Sequence, residues 1–366
     1  MWYTIDNVDE IPSPALLVYP ARVDENIHRM IAMTGGTQRL RTHVKTHKMA
    51  EVIRRELAAG ITKFKCATIA EAEMVADCGA PDCMLAYQPV GPNAQRLARL
   101  AASFLGTRFS AVADDAGAIR RLSAACVAAG VEIEVLLDID VGMHRSGIAP
   151  GEAAVALYRL IAELPGLVPG GLHVYDGHLR AHDPEERTRE TAAAFLPVDQ
   201  LQAELVAAGL SVPRVVAGGT PTFPMHARRE DLECSPGTCV FWDHSYQTKF
   251  PDLEFVNAAM VLTRVVSKPT PDRLCLDLGY KAISPDNADP RVFFPELPDA
   301  KMVVHSEEHL AIETSRAGEY AVGDVLYGVP NHVCPTVALY EEAVVVENGR
   351  AVDRWRVIAR DRKLTI

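Results

Sequence analysis

The sequence predicts an α/β chain: a (β/α)8 barrel of the TIM type with a smaller all-β domain on its C-terminal side. Three observations lead there. Eight short apolar runs alternate with helix-like segments through the first 240 residues. Beyond about residue 252 the text turns β-rich and loses its helical spacing. The last two of the eight runs end in glycine- and hydroxyl-containing loops, the place where barrels of this kind commonly hold phosphate.

The eight strand candidates are, in order, "RLRTHV", "KFKCATI", "CMLAYQ", "RFSAVA", "EIEVLLDID", "GGLHVYD", "RVVAGG" and "DLECSPG". Between them, "MAEVIRRELAAG", "TIAEAEMVADCG" and "AGAIRRLSAACVAAG" place apolar residues at helical intervals and close on a glycine. The run "SPALLVYP" (13–20) is a ninth strand, one more than the barrel needs. It is assigned to the β domain with "AAMVLTRVVSK", "RLCLDLGYKAIS", "HLAIETS", "DVLYGVP" and "EEAVVVENGRAVDRWRV", whose Asn348-Gly349 pair predicts a hairpin turn. The expected boundaries are 20–250 for the barrel, and 1–19 with 251–366 for the β domain.

Composition excludes some functions. The chain has 366 residues and a formal charge of -11, so no global field favours nucleic acid or anionic membranes. No apolar run approaches the ~20 residues that span a bilayer, and the acidic start "MWYTIDNVDE" lacks the bases of a secretory signal. A cytoplasmic location is the expectation. The 8 cysteines form no CxxC pair and read as thiols, mostly small core residues.

Active sites of barrels lie at the carboxyl ends of the strands. The first barrel strand runs into "THVKTHK", where alternation would set His43, Lys45 and His47 on one face. Most clusters of basic residues are solvated patches. A lysine partly desolvated in a barrel mouth among other cations is instead a Schiff-base nucleophile. Opposite it, "AGGTPT" (217–222) and "SPGT" (235–238) offer backbone amides and hydroxyls for a dianion. An amine on one side and a phosphate cradle on the other are the two handles of pyridoxal phosphate. Arg145, in the glycine-flanked loop "DIDVGMHRSGI", could donate to the cofactor's phenolate oxygen, and "HVYDGHLRAHD" offers Tyr175, His178 and His182. In "PNHVCPT" an extended backbone would turn His332 and Cys334 the same way, an imidazole and thiolate pair that suits an open Zn²⁺ site.

"LRTHVKTHK", "FKCATIAEAEMVADCGAPDCMLAYQPVGP", "DVGMHRSGI", "VYDGH", "AGGTPT", "SPGT" and "NHVCPT" occur in the order in which they stand in the D-threonine aldolase and D-serine dehydratase-like family. The sequence resembles that family, which has the alanine-racemase type of fold, over nearly its whole length. The resemblance implies that Lys45 carries pyridoxal phosphate and that Arg145 and Tyr175 touch it; His43, two residues before Lys45, is a further candidate for cofactor contact. It further implies that Gly218, Gly219, Thr220, Gly237 and Thr238 lie at the phosphate. His332 and Cys334 would bind a divalent metal beside the cofactor, Zn²⁺ or Mn²⁺ and after them Mg²⁺. A head-to-tail homodimer is implied as well. Cys239 stands where many relatives have tyrosine.

The expected activity is a lyase reaction on β-hydroxy D-amino acids, small molecules held by the cofactor. With His178 or His182 as base on the β-hydroxyl, Cα–Cβ cleavage converts D-threonine to glycine and acetaldehyde. With Lys45 removing the Cα proton and the metal drawing off the hydroxyl, the products are a 2-oxo acid and ammonia, the dehydratase outcome. The His-x-Cys pair resembles the dehydratases, whereas "ITKFKCATIAEAEM" and "GTCVFWD" resemble the aldolase branch. A racemase, a non-catalytic carrier of the cofactor and a barrel without cofactor are further alternatives.

Overall fold

A computed structural model describes Met1–Ile366. The chain divides into two compact units. A β unit comprises Met1–His28, Thr46–Val52 and Thr238–Arg360; a barrel unit comprises Arg29–Lys45, Ile53–Gly237 and Asp361–Ile366. The divisions thus fall at other positions than the expected 19/20 and 250/251. Residues 238–250 group with the β unit, and the last six residues with the barrel.

Strand β1 is Ala15–Val18. The barrel unit contains β2 (Arg41–His43), β3 (Lys63–Cys66), β4 (Asp82–Leu85), β5 (Arg108–Ala113), β6 (Ile133–Ile139), β7 (Leu167–Val174), β8 (Val215–Ala217) and β9 (Leu232–Cys234). All neighbours in this order pair in parallel, as strands joined by helical crossovers do. The sheet closes on itself through a parallel bridge between Leu40 and Cys234, with Cys234 N donating to Arg39 O at 2.7 Å. Every one of the eight runs named above therefore overlaps a strand: β5 coincides with its run, β4 and β7 begin before theirs, and the other five lie inside runs whose polar ends turn into loops. The helices start as their caps dictate. Thr68 accepts from Glu71 N at the head of Ile69–Asp77, Asp115 accepts from Ala118 N before Ala116–Ala129, and Gly130 closes the latter helix in the left-handed region.

Period-two alternation sorts the barrel interior into three layers. At the strand starts, Arg41 pairs with Asp82 (2.5 Å) and Glu233 (2.8 Å), Lys63 joins Glu233, and Arg108 joins Asp82. The middle layer is apolar: Met84, Val112, Leu136 and Val216 pack together. At the strand ends the interior turns polar again, with His43, Lys65, Asp138 and His173. The charged bottom and apolar middle fix the frame, and the third layer lies at the carboxyl ends of the strands.

In the β unit, β1 is buried at all four positions because it is flanked on both sides, antiparallel to β10 (Ala259–Thr270) and parallel to β16 (Glu342–Glu347). Completing this sheet are β11 (Arg273–Leu276), β12 (Val292–Phe293), β13 (Lys301–His305), β14 (Leu310–Glu313), β15 (Val325–Pro330) and β17 (Arg350–Arg356). Asn348 (φ 49°) and Gly349 (φ 75°) turn the β16–β17 hairpin with the two positive φ values that such a turn requires. One expectation fails: the segment beyond residue 252 is not free of helix, because Val333–Leu339 is helical. The 8 cysteines are unbridged. No helix is long and apolar enough to cross a membrane.

Candidate active site

Strand β2 ends at His43, and Val44–Thr46 form a single 3₁₀ turn. The alternation that would align His43, Lys45 and His47 therefore stops after His43. His47 belongs to the β unit and is buried, its Nδ1 accepting from Met49 N at 3.1 Å, and burial pushes its pKa down to about 3. Lys45 nevertheless opens into a cavity of about 560 Å³ in the barrel unit, shared with His43, Asp138 and Arg145. That volume lies within the usual range for small-ligand sites. His43 Nδ1 lies 2.9 Å from the Lys65 carbonyl oxygen. Burial, then the charges of Lys45 and Lys65, hold its imidazole well below the usual pKa and thus neutral.

The loop after β6 is shaped by Asp140, whose Oδ1 accepts from Gly142 N and His144 N at 3.0 Å. Gly147 returns the chain to the barrel at φ 96°, and a Cβ there would stand 2.7 Å from Asp140 N, so only glycine fits. This turn carries Arg145, exposed, with its guanidinium carbon 4.8 Å from the centre of the Tyr175 ring. Asp138 at the end of β6 pairs across the sheet with His173 of β7, and their side chains meet at 2.7 Å. Burial would raise the Asp138 pKa, but His173 holds it below its ordinary value.

Beyond β8, Gly218 has φ 70°, and a Cβ would come within 2.4 Å of the His226 ring. Beneath this loop lies a buried carboxylate that sequence reasoning missed. Asp176 is fully buried, accepts from Thr222 Oγ1 (2.8 Å) and Gly219 N (3.2 Å), and lies 2.7 Å from His226 Nε2. The amide of Gly219, named above as a phosphate donor, is thus engaged by Asp176. Gly237 N reaches only Thr220 Oγ1, at 3.4 Å, and Ser235 Oγ is buried with no hydrogen-bond partner. Thr238, the next residue, belongs to the β unit, its Oγ1 3.7 Å from Cys334 Sγ.

His178 and His182 are both exposed. His178 Nε2 lies 3.3 Å from the place a Cβ on Gly142 would take, beside the Arg145 loop. His182 precedes the helix Pro184–Ala207, and its carbonyl accepts from Arg187 at 3.4 Å. In the β unit His332 keeps an extended backbone at the N-cap position, but Cys334 already lies inside the helix Val333–Leu339, so the expected extended segment stops at His332. Val333 N is held by the buried carboxylate of Asp243 at 3.2 Å. His332 Nδ1 lies 2.5 Å from Asp286 Oδ2, and Thr46 Oγ1 lies 3.2 Å from Cys334 Sγ. Although burial opposes it, hydrogen bonding to Cys334 and then to Asp286 lifts the His332 pKa to about 9. No three His, Cys, Asp or Glu side chains gather in metal-ligating geometry.

Residues 18–245 match the family profile of the alanine racemase N-terminal domain, and residues 258–346 that of a putative serine dehydratase domain. The chain is 30% identical to a D-threonine aldolase of an Arthrobacter species, across 97% of its own length and 94% of that protein's. It belongs to the D-threonine aldolase and D-serine dehydratase-like family. Across 96% of its length it is also 31% identical to 93% of a 3-hydroxy-D-aspartate aldolase of Paracoccus denitrificans strain Pd 1222. The crystal structure of a D-threonine aldolase from Filomicrobium marinum superposes with a TM-score of 0.91 at 30% identity, covering 98% of each chain. As a member of this family the chain is a lyase of the aldolase and dehydratase class.

The family's alanine-racemase type of fold implies pyridoxal phosphate, and the residues of the barrel unit fit it. An amine opens into a cavity of suitable size, an arginine flanks it, and the loop after β9 holds the orphaned Ser235 hydroxyl beside the weakly engaged Gly237 amide. The β-unit donors, an imidazole whose Nδ1 is oriented by Asp286 and a thiol at Cys334, are of the kind that bind Zn²⁺.

Proposed function

We propose that this family member is a pyridoxal phosphate- and divalent metal-dependent lyase of the D-threonine aldolase type, converting D-threonine to glycine and acetaldehyde. The observation that carries the reading is Lys45 in the turn that follows β2, opening with His43, Asp138 and Arg145 into one cavity. Near-full-length identity of 30–31% to two aldolases supports the aldolase outcome.

Lys45 is the residue that would hold the cofactor covalently. Bound pyridoxal phosphate supplies an electron sink for the pair released at Cα. Arg145, stacked on the Tyr175 ring, would reach the cofactor with it, and a neutral His43 would add an imidazole there without adding a further charge next to Lys45. Gly218, Gly219, Thr220, Gly237 and Thr238 belong to the loops that would receive the phosphate. His332 and Cys334 are the candidate metal ligands, Zn²⁺ or Mn²⁺ supplying Lewis-acid polarisation of oxygen. His178 or His182 would take the β-hydroxyl proton, and the Cα–Cβ electrons then leave the aldehyde carbon for Cα.

A second reading, dehydration to a 2-oxo acid and ammonia, draws support from the serine dehydratase profile over residues 258–346 and from the His332–Cys334 pair. Incubation with D-threonine separates the two. Acetaldehyde without ammonia is expected, and ammonia with 2-oxobutyrate would overturn the aldolase reading. For the metal, Cys334→Ala is expected to lower bound metal and turnover together while leaving visible absorbance in place. Unchanged metal content and rate would refute the ligand role.

A further inference from the structure

Lys65 is unusual in its surroundings. It lies on β3 beside His43 of β2, in the polar layer at the strand ends, and is only 2% exposed. No carboxylate lies within ion-pair reach of it; its hydrogen-bond partner is His173 Nε2 at 3.5 Å, and its Nζ stands 5.7 Å from the centre of the Tyr175 ring. A buried ammonium without a paired anion is costly, so position alone makes this group sensitive to any charge that enters the cavity. His173 in turn fixes the tautomer. With Nδ1 at 2.7 Å from Asp138 Oδ1, the ring carries its proton on Nδ1 and presents the Nε2 lone pair to Lys65. The result is a chain from a buried amine, through a neutral imidazole, to a carboxylate in the wall of the Lys45 cavity.

We propose that Lys65 is a positioning residue of this lyase site, a buried proton holder that acts on the Lys45 cavity through His173 and Asp138. The inference rests on the reading of Lys45 as the cofactor lysine. Burial first, then the charge of Lys45, bring the Lys65 pKa down to about 7 from an ordinary 10.5, so its charge changes within the working range of an enzyme. Arg41, from below, acts in the same direction, whereas Asp138 and Asp176 favour the ammonium. His43 and His173 are neutral, their pKa values lowered by burial. When Lys65 is charged it donates to His173, orders the Nδ1–H towards Asp138 and disfavours further positive charge at Lys45. When Lys65 loses its proton that restraint is lifted.

The test uses the holoenzyme and two variants, Lys65→Met, of similar length without charge, and Lys65→Arg, charged at every accessible pH, both checked for native circular dichroism. The wild type is expected to show an inflection near pH 7 both in its visible absorbance and in kcat for D-threonine. Neither variant titrates there, so both lose the inflection. In Lys65→Met the remaining spectral transition moves up by about one pH unit, and kcat falls more than KM changes; in Lys65→Arg the transition moves down. Folded variants whose absorbance and kcat profiles coincide with the wild type overturn the assignment of Lys65. A wild-type protein without visible absorbance overturns instead the cofactor reading on which it rests.

Discussion

Replacing Lys45 with alanine is expected to abolish turnover of D-threonine, a loss of at least about 10³-fold, and to remove visible absorbance while the fold persists. The side chain is half-buried at the cavity wall, and no barrel strand depends on it, because β2 has already ended at His43. Stability should therefore change little, and the loss belongs to chemistry rather than folding. Absorbance and rate, followed side by side with thermal unfolding, separate the two. A Lys45→Ala protein that still cleaves D-threonine at a comparable rate would remove the basis for the mechanism.

Replacing Arg41 with methionine should have the opposite profile: a large loss of stability, about 3 kcal/mol in urea unfolding, from a residue that touches no substrate. Its guanidinium is fully buried between Asp82 and Glu233. Removing it leaves Arg108 alone on Asp82 and Lys63 alone on Glu233, both of them partly exposed cations. Burial by itself would raise the Asp82 pKa, but Arg41 and then Arg108 bring it down to about 2, against an ordinary 3.8. A carboxylate with a lowered folded-state pKa stabilises above its unfolded value and loses that contribution as pH falls through the folded one. Wild-type stability should thus drop between about pH 4 and pH 2, and Arg41→Met should flatten that part of the curve. An unchanged urea midpoint would mean that the bottom layer of the barrel is not a stabilising network.

The barrel was legible because its strands alternate with helices whose caps stand in the sequence: the Thr68 and Asp115 side chains each start a helix, and the backbone freedom of Gly130 ends one. The ninth strand could be assigned away from the barrel by counting alone. The conformation of "NHVCPT" was not legible, because the distant carboxylate of Asp243 holds Val333 N and starts a helix where the text reads as extended. For the same reason nothing local announced Asp176, whose partners Thr222 and His226 lie 46 and 50 residues further on. Lys65 did leave a signal. In "KFKC" it falls on the same side as Lys63, in register with His43 and Arg41 of the neighbouring strand, so a lysine on an inward face was there to be read.

Covalent trapping tests Lys45 most directly. Borohydride reduction of the holoenzyme, followed by proteolysis and mass spectrometry, fixes an imine-linked cofactor to whichever lysine carries it. Lys45 as the anchor predicts one phosphopyridoxyl adduct, on the peptide that contains residue 45, and none in Lys45→Ala. An adduct on the peptide containing Lys65, or no adduct in a fully coloured wild-type preparation, would contradict it.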